Sequence, residues 1–243
     1  MSRLPRARRP DRLPPALALV LLCAVAAAAQ APAPAPTAAD PNLFRAARAL
    51  PESLEPGADG PEAFTFEQDG FQYQILHNGA GRRTKEGAVR LFNLRLEAGD
   101  RLRHVYFSEF VNNIILACEV SDAETGAGFV VRLEQPSMRA RWKAHLPGFN
   151  VGAPLRDGEH LYLTAIGFVA KLDLKTGRFA WRHTRLHGRG GPDAFSAFGP
   201  PELSGDAVLF RETRADGRPA RAVRVHRRTG KILGLEGEES SRQ

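Results

Sequence analysis

The sequence predicts an all-β protein, a small or partial β-propeller of about four blades, with a short N-terminal helix after a signal peptide. Three observations carry this. From Phe64 onward, short alternating apolar runs are punctuated by Gly, Asp and Asn, the pattern of strands and turns. A unit of roughly 40 residues recurs along that stretch, the construction of a propeller blade. Before it, a basic stretch, a short apolar run and a Pro/Ala tract follow one another, and these belong to targeting and linkage, not to a core.

The N-terminus comes first. Arg3, Arg6, Arg8, Arg9 and Arg12 precede an apolar run over residues 16–29 that ends in four alanines. A charged stretch, a short apolar segment and an Ala-x-Ala site are the parts of a secretory signal, and about 14 apolar residues fall short of the ~20 that a bilayer-spanning helix needs. Cleavage is expected after Ala29, which gives an exported protein, periplasmic or extracellular. Leu21 and Leu22 before Cys23 do not suit lipid attachment, so no lipid anchor is expected. The whole chain carries 34 Lys plus Arg against 27 Asp plus Glu, a formal +7. Removing five arginines and one aspartate with the signal leaves 29 against 26. The mature chain is therefore nearly balanced, and nucleic acid is not an expected partner.

Residues 30–40 read as an extended Pro/Ala linker. Asp40-Pro41 resembles a helix cap followed by proline at the first helical position. Leu43, Phe44, Ala47 and Leu50 then share one side of a short helix over residues 41–50, stopped by Pro51. A connector runs to residue 62, the β region spans 63–237, and a polar tail occupies 238–243.

The repeat is clearest over residues 161–181. A strand, a turn, a second strand, the turn Lys175-Thr176-Gly177 and a third strand end in Trp181. With Gly177 as anchor, the equivalent positions are Gly99, Met138 and Gly230, at intervals of 39, 39 and 53 residues. Seven and five residues before them stand Phe92/Leu94, Val131/Leu133, Ala170/Leu172 and Val223/Val225, each pair on one strand face. Four residues after the anchor, Trp142 and Trp181 coincide, and they read as packing between blades. A further strand fits before each unit, from Val151 to Arg156 and from Gly199 to Leu203. A four-unit array either closes or stays an open arc, whose edges need covering by dimerisation of two half-rings or by residues 41–50.

Residues 161–181 resemble the repeat of the quinoprotein-like (PQQ-like) β-propellers, in which a strand, a central apolar pair, a Thr-Gly turn and a closing Trp recur. The resemblance extends over roughly residues 66–236. It implies about four quinoprotein-like blades and an exported setting. The enzymatic branch of that family uses an adjacent cysteine pair and a carboxylate-lined calcium site. Neither stands here, so the resemblance implies the non-enzymatic branch, with no cofactor, metal or catalytic residue carried over.

Chemistry is otherwise sparse. Cys118 lies in an apolar run and reads as a buried thiol. His183 and His187 have helical ligand spacing but follow a strand, where residues four apart lie about 13 Å apart. Asp173 reads as a turn acid. The stretch 188–191 reads as a flexible insert. The first hairpin of each unit is expected to end in a loop, over 77–87, 121–128, 165–167 and 212–219, all on one rim. Arg82, Arg83 and Lys85 in the first loop, with Arg214 and Arg218 in the fourth, make that rim basic. Arg224 and Arg228 extend the charge, in a segment from Arg211 to Lys231 holding eight cations against Glu212 and Asp216. These seven residues are the candidate partner contact. The expected function is that of an exported, non-enzymatic propeller-like module that binds a protein partner, associates with itself or acts in envelope assembly through this rim. The alternatives are a quinoprotein-type oxidoreductase or its accessory subunit, and a binder of anionic polymers or lipid surfaces.

Overall fold

The computed structural model describes residues 42–51, 60–122, 125–184, 186, 197–213 and 221–236, and among these no residue is helical. Two short strands come first, β1 (Arg45–Ala46) and β2 (Arg48–Leu50). Blade 1 holds β3 (Ala63–Gln68), β4 (Phe71–Leu76), β5 (Ala80–Lys85) and β6 (Ala88–Asn93). Blade 2 holds β7 (Arg101–Glu109), β8 (Asn113–Ser121), β9 (Gly126–Glu134) and β10 (Arg139–Leu146). Blade 3 holds β11 (Leu155–Asp157), β12 (His160–Ala165), β13 (Phe168–Asp173) and β14 (Phe179–His183). Blade 4 holds β15 (Ala197–Phe198), β16 (Glu202–Ser204), β17 (Ala207–Thr213), β18 (Ala222–His226) and β19 (Ile232–Glu236). Within each blade the strands pair antiparallel in chain order, except that β15 and β16 both pair with β17. The fold is all-β, a partial propeller.

Alternation along the strands sends each blade's two faces into different seams. Phe64, Phe66, Tyr73 and Ile75 of blade 1 pack on Phe107, Ile114, Leu116 and Val131 of blade 2. The opposite face of blade 2, with Ile115, Ala117, Val130 and Leu146, packs on Leu161, Leu163, Ala170 and Leu172 of blade 3. Tyr162 and Val169 then meet Val208, Phe210, Val223 and Val225 of blade 4. Central strands buried on both faces explain why residues 114–118 read as a continuous apolar run, and each fully buried Leu or Ile contributes roughly 1.5–3 kcal/mol.

No hydrophobic cluster among the described residues joins blade 4 to blade 1. The end face of blade 1 carries two polar rows across its strands, Arg48, Thr65, Gln74 and Arg82, then Glu67, Gln72 and Thr84. The end face of blade 4 carries Arg211 and Arg224 beside Ala207 and Leu209. The exposed Leu76, Val89 and Leu91 stand on the same face of blade 1 as its polar rows, so the four blades are an arc whose end faces mix polar and apolar side chains.

Two expectations are corrected here. Residues 41–50 do not form the short helix. β1 pairs with β7 and β2 with β3, and Leu43 bridges Leu155 of β11, so one strap crosses the first strands of blades 2, 1 and 3. Phe44 N donates to Pro154 O (2.9 Å) and Arg156 N to Asn42 O (2.8 Å). Isolated helices of this length are marginal, whereas strand addition satisfies a free row of backbone groups on three blades. Phe44 is buried, and Ala47 and Ala49 pack on the first seam.

The anchor of the first unit is also not Gly99. Met138, Gly177 and Gly230 each lie between the third and fourth strands of a blade, with φ of 58°, 71° and 74°. In blade 1 that turn is Glu86-Gly87, while Gly99 lies in the connector between β6 and β7. Phe92 therefore belongs to a fourth strand, and Arg103 to the next blade. Blades 2, 3 and 4 carry a bulge between third and fourth strands, and the β5–β6 pairing has none. Leu91, four residues after Gly87, stands where Trp142 and Trp181 stand after their anchors. Without the bulge its side chain falls on the opposite face and is 77% exposed.

Candidate functional site

The residues singled out as a basic rim do not form one. The segment 77–87 is not a loop, because residues 80–85 are β5. Arg83 is buried in the first seam with its guanidinium 4.4 Å from the Phe71 ring centre, and Lys85 Nζ lies 4.7 Å from the same ring. Arg82 belongs to the end face of blade 1. Arg224 lies on the far face of blade 4, and Arg228 in the turn after β18. Arg214 and Arg218 lie outside the described residues, as do His187, the stretch 188–191 and the segments 1–40 and 238–243. The structure thus brings Arg83 and Lys85 together on one ring and leaves Arg82, Arg224 and Arg228 apart. The cationic segment from Arg211 is partly neutralised by pairing. Arg221 Nε donates to the Glu212 carboxylate (2.9 Å) with both side chains buried, Arg211 meets Glu202 (3.2 Å), and Arg227 meets Asp157.

Other candidates are structural. Cys118 is fully buried, and burial pushes its thiol far up, so it carries no thiolate at neutral pH. His183 Nε2 lies 2.7 Å from Gly230 O. Asp173 Oδ1 accepts from Lys175 N, Thr176 N and Thr176 Oγ1, the bonds of a turn acid. No group of three or more metal-ligating side chains occurs among the described residues.

A polar cleft forms instead where the strap crosses blades 1 and 2. The cleft measures about 860 Å³, and Phe44, Arg45, Gln68, Glu109, Asn112 and Arg156 are among its lining residues. Its walls come from chain reversals. Asp69, with φ of 53°, turns β3 into β4, and Val111 and Asn112, with φ of 46° and 55°, turn β7 into β8. A β-branched residue at positive φ is an outlier, and Val111 is also 70% exposed, so burial does not explain it.

These turns bring five polar side chains together. Gln68 Oε1 accepts from Arg45 Nη2, and Gln68 Nε2 donates to Asp69 Oδ1 (3.0 Å) and Glu109 Oε2 (3.3 Å). Arg156 Nη1 donates to the backbone carbonyl of Glu109 (2.5 Å). Burial holds the Glu109 carboxyl above its usual range, reinforced by the neighbouring Asp69 carboxyl, while Gln68 and Arg156 pull the other way. Arg45 is held from beneath. Its guanidinium lies 4.5 Å from the Phe107 ring centre, Phe107 stacks on Phe66 (4.1 Å), and Phe66 on Tyr73 (4.5 Å). Gln135 Nε2 donates to the Tyr73 hydroxyl (2.7 Å), and burial pushes that phenol up to about 12. Sequence reasoning missed Arg45, Asp69, Glu109 and Arg156. The one signal available was the run Val111-Asn112-Asn113, a turn composition after a long strand.

No family model matches the chain, and no curated protein matches it. Solved structures do. AztD from Citrobacter koseri is 10% identical over 75% of this chain and 48% of its own, with a TM-score of 0.43. A GH43 β-xylosidase/α-arabinofuranosidase from a compost microbial metagenome, in complex with xylotriose, is 11% identical over 78% of this chain and 80% of its own, with a TM-score of 0.41. The GH43 endo-arabinanase from Bacillus licheniformis is 11% identical over 70% and 75%, with a TM-score of 0.34. The chain spans about half the length of AztD. At these identities the likeness is one of fold.

The expectation of a non-enzymatic partner-binding or envelope-assembly module is overturned. Of the rim through which the module was to act, the first loop is strand β5 with Arg83 buried, and the fourth lies outside the described residues.

Proposed function

We propose that this chain binds a small polyhydroxylated molecule in the cleft between the strap and blades 1 and 2. One observation carries the reading. Gln68, Glu109, Arg45 and Arg156 from four different strands, and Asn112 from a turn, reach a single concave site. A few convergent polar groups in a cleft of some hundreds of Å³ are the usual form of a small-molecule site. Amides, guanidinia and a carboxyl pair offer both donors and acceptors, which suits hydroxyl groups. The exported setting implied by residues 3–29 belongs to the same proposal, and a mature chain beginning at Gln30 is its test by mass spectrometry.

The binding test is a titration of the full chain with D-galactose and xylotriose, followed by saturation-transfer NMR. Binding of either that is lost in Gln68→Ala supports the cleft. Failure of both to bind, or binding unchanged in Gln68→Ala, rejects it.

A further inference from the structure

The two guanidinia of this cleft are unmatched. Neither Arg45 nor Arg156 forms an ion pair with a described carboxylate, although Arg211, Arg221 and Arg227 each do. Gln68 Nε2 donates to both carboxyls of the region, Asp69 (3.0 Å) and Glu109 (3.3 Å). Among the residues that line the cleft, these two guanidinia stand against one carboxyl, Glu109, so the lining carries an excess of positive charge. Arg45 is also fixed in place by the Phe107, Phe66 and Tyr73 stack beneath it. A pre-oriented guanidinium fork presents parallel donors at the spacing of a carboxylate.

We propose that the ligand of this cleft is a small hydroxylated carboxylate, such as a sugar acid, with its carboxylate held by Arg45 and Arg156 and its hydroxyls by Gln68 and the carboxyl pair. This rests on the cleft being a binding site and adds the chemical class of the ligand. A single negative charge balances the site. A phosphate dianion would overshoot it and meet the Asp69 and Glu109 oxygens.

The test compares D-galacturonate with D-galactose, which differ in a carboxylate against a hydroxymethyl group, by NMR titration of the full chain near neutral pH. The expected result is about tenfold tighter binding of galacturonate, reduced to parity in Arg45→Gln and in Arg156→Gln. Unchanged melting temperatures confirm that both variants fold. Equal affinity for the two sugars in the unmodified chain overturns the carboxylate assignment and leaves the cleft as a sugar site. A preference retained in both variants overturns the role of the arginines. Displacement of galacturonate by an equal concentration of inorganic phosphate also overturns the assignment, because it makes the site a general anion site. No binding of either sugar rejects the cleft altogether.

Discussion

Between blades 2 and 3 the Trp142 indole packs against Gly177, and its Nε1 donates to Leu174 O (3.1 Å) beside Arg132 Nη1 (3.0 Å). Between blades 3 and 4 the arrangement recurs. Trp181 packs on Gly230, and its Nε1 (3.1 Å) and Lys171 Nζ (3.2 Å) both donate to Arg227 O. The cleft uses a repeated position with unlike residues. Gln68, Glu109 and Arg156 stand at or next to the ends of the first strands of blades 1, 2 and 3, and the turns after them hold Asp69, Val111 and Asn112 at positive φ where blades 3 and 4 use Gly158 and Gly205. The seams keep both position and residue, and the cleft keeps the position alone. Seam variants should therefore cost stability and spare binding, and cleft variants should do the reverse.

The largest effect is expected at Gly177. A Cβ there would stand 2.6 Å from the Trp142 ring at a φ of 71°, so Gly177→Val combines overpacking with backbone strain, about 3–4 kcal/mol together. Urea unfolding checks it, and the folded variant should bind D-galactose as before. Phe44→Ala tests where the two regions meet, because Phe44 ties the strap to the second seam. It should cost about 3 kcal/mol through the cavity it leaves, and unlike Gly177→Val it should weaken sugar binding as well. Trp142→Phe keeps the ring and removes the donor to Leu174 O, a loss of about 1 kcal/mol. Arg156→Gln lies at the other extreme. Its unfolding free energy should change by less than about 0.5 kcal/mol, while its binding of galacturonate falls.

Glu109 adds a dependence on pH. Its folded carboxyl holds a proton more tightly than an unfolded one, through burial and the neighbouring Asp69 carboxyl, with Gln68 and Arg156 opposing. Its contribution to stability is therefore complete below the ordinary glutamate range and is lost as pH rises through the raised value. Melting temperature should decline slightly over that interval in the unmodified chain and not in Glu109→Gln.

What was legible in the sequence follows the same division. Residues 161–181 were read strand for strand, because a unit that stacks on a copy of itself must repeat its apolar pairs and its Trp. The buried thiol of Cys118 was legible for the same reason. The strap was not, because Leu43, Phe44, Ala47 and Leu50 fit a helix face as well as a strand, and only three unfilled sheet edges decide between them. The anchor at Gly99 was misread because a glycine turn in a connector resembles a glycine turn in a hairpin. The basic rim failed because Arg82 and Arg83 look like loop residues, although alternation in β5 sends one outward and the other under Phe71. The cleft lies at a repeated position, at or next to the end of each first strand, but Gln68, Glu109 and Arg156 share no residue type that could reveal it.

The outer face of blade 1 carries a prediction of its own. The three seams are lined by contiguous buried apolar side chains, whereas this face scatters Leu76, Val89 and Leu91 among Thr65, Glu67, Gln72, Gln74, Arg82 and Thr84. Sedimentation of the full chain should give a monomer, and a dimer that dissociates in Gln74→Arg would show instead that the arc closes through a second copy.

The central claim is that ligand enters between the strap and blades 1 and 2. Backbone hydrogen exchange with and without saturating D-galactose tests it most directly. Slowed exchange confined to residues 43–46, 68–69 and 107–112 is the predicted result. Protection that falls on the end face of blade 1 or along the tryptophan seams, and leaves those three segments unchanged, would contradict it.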